Sequence, residues 1–239
     1  MSQPDADSTL EQIAAKPEPA AARLDRIEAL RGRVAVLPSA FNPPTLAHLH
    51  LLERAQGVQA VTGAAAMLST RNVDKGLHGA PLADRVGMLL AAREEYGWLG
   101  VLAVNAARLV DQGEALRAAF PTARFDFVVG YDTLVRLFDR KYYGEMEREL
   151  EPFFAEHRVI ATNRAEDRID AVEAFIERSA GAFAGRIVAL EIDEEPAAMS
   201  STAVRQALEG GGEALHLPRS VKGYIEARGL YRAERDSDQ

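Results

Sequence analysis

Arg33-Val-Ala-Val-Leu-Pro-Ser-Ala-Phe-Asn-Pro-Pro-Thr-Leu-Ala-His48 decides how the rest of this chain is read. Its opening apolar run, without polar alternation, predicts a strand over 33–37 that is covered on both faces. A tight turn follows, and then a helix expected to open at Pro44 and run over 45–56. Proline suits a first helical turn, where its missing N–H had no partner to lose. Thr45 and His48, three apart, then share one face of that turn. Unpaired N–H groups and the positive end of the helix dipole favour an anion there, and a neutral His can donate a hydrogen bond to it. The stretch reads as a strand–turn–helix built to hold a phosphate.

Outward from it, strand-like and helix-like segments alternate. Strands are expected at 58–61 with 64–68, 100–104, 125–129, 157–161 and 186–190. Helical patterns lie near 81–95, 112–119, 131–138, 145–155 and 168–179, and two more, 202–209 and 218–228, flank Gly210-Gly-Gly212. The sum is an α/β fold, a doubly wound parallel sheet with C-terminal helices, whose ligands bind at the carboxyl ends of the strands. Residues 1–20, rich in Pro, Ala and charge, read as a tail with too little apolar surface to pack. In 21–30, Leu24, Ile27 and Leu30 stand at helical spacing and predict a short lead-in helix, so the domain proper is expected over 31–239.

Composition narrows the function classes. The 239 residues are 47% hydrophobic, enough for a full core, and 27% charged, with a formal net charge of −8. An acidic balance argues against a nucleic-acid partner, and no apolar run approaches membrane-spanning length. The N-terminus lacks a signal-like character, so a soluble cytoplasmic protein is expected. With no cysteine, disulfides and thiolate metal sites are excluded.

A second constellation is Met199-Ser-Ser-Thr-Ala-Val-Arg205. Ser201 or Thr202 is a suitable N-cap, with Arg205 in the first turn, so hydroxyls, free N–H groups and a guanidinium fork converge on one anion-sized point. A plain helix cap beside a surface arginine accounts for the same residues. Between the two constellations, Gly130 and Asp132 end one strand and open a helix. Gly permits close backbone approach, and Asp either accepts from ribose hydroxyls or caps the helix. Lys75, in a polar loop after the second strand region, either meets a substrate phosphate or is solvated. Arg85 is expected to fix its helix through an ion pair. His50 lies off the face of His48 and reads as structural, and a metal site from the pair is not expected.

Ser39-Ala-Phe-Asn-Pro-Pro-Thr-Leu-Ala-His48 resembles the first signature of the nucleotidyltransferases marked by His/Thr-x-x-His. It is most similar to the nicotinamide or nicotinate mononucleotide adenylyltransferases, which carry Gly-Ser-Phe-Asn-Pro-x-Thr-x-x-His. Met199–Arg205 is similar to that family's Ile-Ser-Ser-Thr-x-Ile/Val-Arg, and Leu217–Tyr231 to its C-terminal Pro-x-x-Val-x-x-Tyr-Ile-x-x-x-Gly-Leu-Tyr. The resemblance implies a Rossmann-like domain that transfers AMP from Mg-ATP to a pyridine mononucleotide and releases pyrophosphate. It implies His48, Thr45 and Arg205 in catalysis. It assigns Ser39, Ala40, Phe41, Asn42, Gly130, Asp132, Ser201 and Thr202 to ATP, and a basic residue at the place of Lys75 to the acceptor. Magnesium is expected to arrive on ATP, held mainly by phosphate oxygens and water.

Two departures stand out. Pro38, Ser39 and Ala40 occupy positions where the family places glycine, and Pro38 has no amide hydrogen. The region Val101-Leu-Ala-Val-Asn105 lacks the aromatic on which the family stacks the pyridine, and Trp98 reads as core. Transfer to another phosphorylated acceptor therefore stays open, as does a nucleotide-binding protein or weak ATP hydrolase. The oligomeric state, a homo-oligomer included, is open too.

Overall fold

In the computed structural model, residues 2–25, 30–71, 79–163, 168–192, 199–213 and 215–231 are described. Seven strands form one sheet: β1 (Ala21–Arg23), β2 (Gly32–Ser39), β3 (Val61–Ser69), β4 (Leu99–Val104), β5 (Ala123–Gly130), β6 (Arg158–Thr162) and β7 (Ile187–Leu190). Their order is β1-β4-β3-β2-β5-β6-β7. All neighbours are parallel except β1, which runs antiparallel to β4 at the edge. Setting β1 aside, the chain winds outward from β2 to one side and then, from β5, to the other. The topological switch point thus lies between β2 and β5, where such sheets open a crevice at their carboxyl ends.

Nine α-helices are described: α1 (Gln3–Ala14), α2 (Leu46–Gln56), α3 (Leu82–Glu95), α4 (Leu109–Ala119), α5 (Tyr131–Leu137), α6 (Met146–Glu156), α7 (Ile169–Ser179), α8 (Ser201–Glu209) and α9 (Arg219–Arg228). Alternate residues of each strand feed two layers. Ala35, Leu37, Ala64, Ala66 and Val101 face an aliphatic layer closed by α1, α2, α3, α8 and α9. Val34, Val36, Met67, Phe125 and Phe127 face an aromatic layer closed by α4 to α7, where Phe138, Phe153 and Phe154 are buried. At the amino ends of the strands, the fully buried carboxylate of Asp126 ties β2 to β6 through Arg33 (2.6 Å) and Arg158 (3.1 Å). That network lies at the end of the sheet opposite the crevice.

The first thirty residues depart from expectation. Residues 3–14 form α1, which buries Ala6, Leu10 and Ile13 in the aliphatic layer instead of trailing as a tail. Residues 21–23 form strand β1 where a lead-in helix was expected, and Leu24 enters the core beside them; Ile27 lies outside the described residues. A smaller correction concerns residues 58–60, which form the turn into β3 and not a strand of their own.

Candidate active site

The helix after β2 begins at Leu46, two residues later than Pro44 suggested, with Thr45 as its N-cap and His48 as the third helical residue. This explains how a histidine is oriented without a carboxylate partner. The backbone N–H of Thr45 donates to His48 Nδ1 at 3.0 Å, and the Thr45 hydroxyl lies 2.8 Å from the same nitrogen. It is a reciprocal cap in which imidazole takes the place usually held by Glu or Gln. A nitrogen that accepts from a backbone amide carries no proton, so the hydrogen of the neutral ring sits on Nε2. Nε2 lies 3.2 Å from Ser39 Oγ, at the last residue of β2. Burial pulls the His48 pKa down to about 4, which keeps the ring neutral at physiological pH. The result is a neutral, aimed N–H donor at the carboxyl end of the central strand.

The turn that carries it is pinned from several directions. Phe41 adopts φ +44, the left-handed region expected of glycine, with its ring 1% exposed and its centroid 5.0 Å from that of His48. Left-handed backbone costs a non-glycine residue roughly 1–2 kcal/mol, and burying a Phe side chain returns roughly 1.5–3 kcal/mol. Burial wins, which explains how Phe41 holds a conformation usually left to glycine. Asn42, also buried, accepts at Oδ1 from the Ala80 amide (3.1 Å) and the Tyr231 hydroxyl (2.7 Å). Gly79, at φ +84, lets the neighbouring loop approach so closely that a Cβ there would fall 2.5 Å from the Asn42 amide nitrogen. Arg85 donates to the carbonyls of Ala80 (2.8 Å) and Ala40 (3.3 Å), so it braces two loops at once.

The C-terminal constellation docks on the same turn. Ser200, not Ser201 or Thr202, is the N-cap of α8, accepting from Ala203 N at 3.2 Å. Ser201 commits its hydroxyl proton to the Pro43 carbonyl at 2.8 Å. Arg205 donates to the Asn42 carbonyl (2.6 Å) and to Thr202 Oγ1 (3.2 Å), using two of its five N–H donors and leaving Thr202 its own proton. Ser39, Ala40, Phe41, Asn42, Thr45, His48, Ser201, Thr202 and Arg205 are therefore brought together. Gly130 is the N-cap of α5 and Asp132 an exposed residue of its first turn, at the carboxyl end of β5, the other wall of the switch point. Lys75 lies outside the described residues.

Sequence reasoning missed the bracing roles of Arg85 and Tyr231. Tyr231 lies 189 residues from the Asn42 it bonds, so no local spacing connects them. It also missed Asn105, which holds the N-terminal segment. Among the described residues no helix is long and apolar enough to cross a membrane.

The chain is similar to known proteins in sequence and in fold. A putative nicotinamide mononucleotide adenylyltransferase of Schizosaccharomyces pombe is 32% identical over 149 residues, covering 60% of this chain. The match spans 58% of that relative's length. Plasmodium falciparum nicotinic acid mononucleotide adenylyltransferase shares the fold, with a TM-score of 0.66 in its complex with NaAD. It is 16% identical, and the superposition covers 83% of this chain and 97% of that one. Its complex with APC gives a TM-score of 0.65 at 15% identity, over 84% and 98% of the two chains. The Cytidylyltransferase-like family matches residues 36–207, from within β2 into α8, and so takes in both constellations. This chain belongs to the Cytidylyltransferase-like family.

Proposed function

We propose that this protein is an adenylyltransferase that joins AMP from Mg-ATP to the phosphate of a pyridine mononucleotide, as a soluble cytoplasmic enzyme of NAD synthesis. The names of its relative and structural neighbours support the substrate class. The observation that carries the chemistry is the neutral His48 ring, its Nε2–H fixed by the Thr45 amide at the carboxyl end of β2.

An oxygen of the acceptor phosphate attacks the α-phosphorus of ATP in line. The bond from that phosphorus to the bridging oxygen breaks, and pyrophosphate leaves. No protein nucleophile is required, so the protein contributes position and charge stabilisation. His48 would exchange Ser39 for an α-phosphate oxygen and donate to its growing negative charge. Arg205 and Thr202 would hold the β- and γ-phosphates and steady the leaving pyrophosphate. Ser201, its proton committed to Pro43, would fix α8 against the turn. Gly130 and Asp132 would meet the adenosine ribose, and Lys75 the acceptor phosphate.

Among the described residues, no three His, Cys, Asp or Glu side chains converge where an ion could sit. The side chains around the start of α2 and α8 are neutral or cationic and suit phosphate oxygens, so magnesium enters this reading as part of the Mg-ATP substrate. The test is pyrophosphate release from Mg-ATP with nicotinamide mononucleotide, nicotinate mononucleotide or no acceptor. Release that depends on either mononucleotide is expected. Phosphate release without any acceptor, or silence with both, would overturn the reading.

A further inference from the structure

The carboxyl ends of β3 and β4 form a platform, and residues 13–20 lie across it. Asn105, directly after β4 and 1% exposed, is the centre. Its Nδ2 lies within hydrogen-bond distance of the carbonyls of Ile13 (2.9 Å), Lys16 (3.0 Å) and Glu18 (3.0 Å). Its Oδ1 accepts from the Ala20 amide at 2.6 Å, and its own amide donates to the Ala20 carbonyl at 3.0 Å. Arg71, just past β3, donates to the Lys16 carbonyl at 3.1 Å. Ser69 lies within reach of the Ala106 carbonyl (2.9 Å) and joins the two strand ends. An amide that serves this many backbone groups specifies a path for the segment, and Pro17 and Pro19 stiffen it by fixing φ.

The register places this platform relative to the reacting centre. Ser39 pairs with Leu68, and Leu68 with Ala103, so the three stand in one row across β2, β3 and β4. Two strand spacings of about 4.8 Å put Ala103 roughly 10 Å from Ser39, with Asn105 two residues further toward the crevice. From His48 beside Ser39 to Asn105 is thus the scale of one mononucleotide laid across the strand ends. The proposed reaction sets the adenosine at the β5 turn, which leaves the β3–β4 side for the acceptor.

Resting on the proposed transfer reaction, we propose that residues 13–20 form the acceptor-side wall of the active site and that Asn105 is the positioning residue that holds them there. Where an aromatic platform is lacking, a pinned backbone segment bounds the acceptor base.

The test compares wild type with Asn105→Asp, which keeps the shape but turns carboxylate oxygen toward carbonyls, and with Asn105→Ala. The expected result is an acceptor KM raised tenfold or more with ATP KM within about twofold of wild type. Hydrogen exchange on the wild-type protein gives a readout independent of whether the variants fold. Amides of residues 13–20 should gain protection on adding the mononucleotide and not on adding a non-hydrolysable ATP analogue. An unchanged KM ratio in folded variants, or an N-terminal segment indifferent to the acceptor, overturns the proposal. Failure of the transfer reading is distinguishable, because wild type itself would then show no acceptor-dependent pyrophosphate release.

Discussion

Two turns open side by side at the carboxyl end of the sheet, one after β2 and one after β5, and they are built to different standards. The β2 turn is bound by Arg85, Tyr231, Ser201, Arg205 and the Ala80 amide, all from distant parts of the chain. It also carries Phe41 in a conformation that only burial makes affordable. The β5 turn is a glycine N-cap followed by the exposed Asp132. In the proposed reaction, rigid support has accumulated where charge would move between atoms. A ribose hydroxyl at the β5 turn would ask only for an acceptor within reach.

The sharpest way to break this contrast is His48→Ala. Removing one donor to a developing charge is expected to lower turnover on the order of 100-fold or more. ATP affinity, measured separately by titration, should move far less, and near-normal turnover would end the assignment. Asn42→Ala should come next. It removes the acceptor that the Ala80 amide and the Tyr231 hydroxyl share, at about 1–3 kcal/mol for a buried group left without a partner. Chemical denaturation should report the loss, and turnover should fall with it because the turn loosens. Asp132→Ala is expected to raise ATP KM several-fold and leave turnover close to wild type. If it lowered turnover as much as Asn42→Ala, the two turns would not differ in the way argued here.

The smallest effect concerns pH. Burial lowers the pKa of His48 to about 4 and also lowers that of His157, which sits among Phe125, Phe127 and Phe153 with Nε2 on the Gly113 carbonyl at 3.1 Å. Above the unfolded value of about 6.5 both states are neutral and nothing is lost. As pH falls below it, the unfolded chain binds protons that the folded one refuses, so stability declines. Denaturant midpoints at pH 7.5 and 5 should show the decline, and His48→Gln should flatten it. The same neutrality predicts that turnover shows no acid limb from His48 between pH 5 and 8.

The sequence made the sheet legible because its strands are unbroken apolar runs punctuated by helical periodicity, and each constellation is local. Thr45 and His48 are three residues apart, and so are Thr202 and Arg205. What escaped was non-local or thinly encoded. Helix α1 shows only Ala6, Leu10 and Ile13 on a narrow stripe within a Pro-, Ala- and charge-rich stretch, a pattern that composition reads as a tail. Strand β1 has three residues, too few for any period. The left-handed backbone of Phe41 is held by packing, which no propensity scale reports.

The bond between Tyr231 and Asn42 has a consequence for how the molecule is made. The turn bearing His48 emerges well before one of its supports, which follows 189 residues later. A growing chain can lay down β2 and α2, and even the full sheet, while the turn proposed to bind phosphate is still incompletely braced. Competence toward ATP would then arrive late, with α9 and the residues just beyond it, and not gradually as the strands are added.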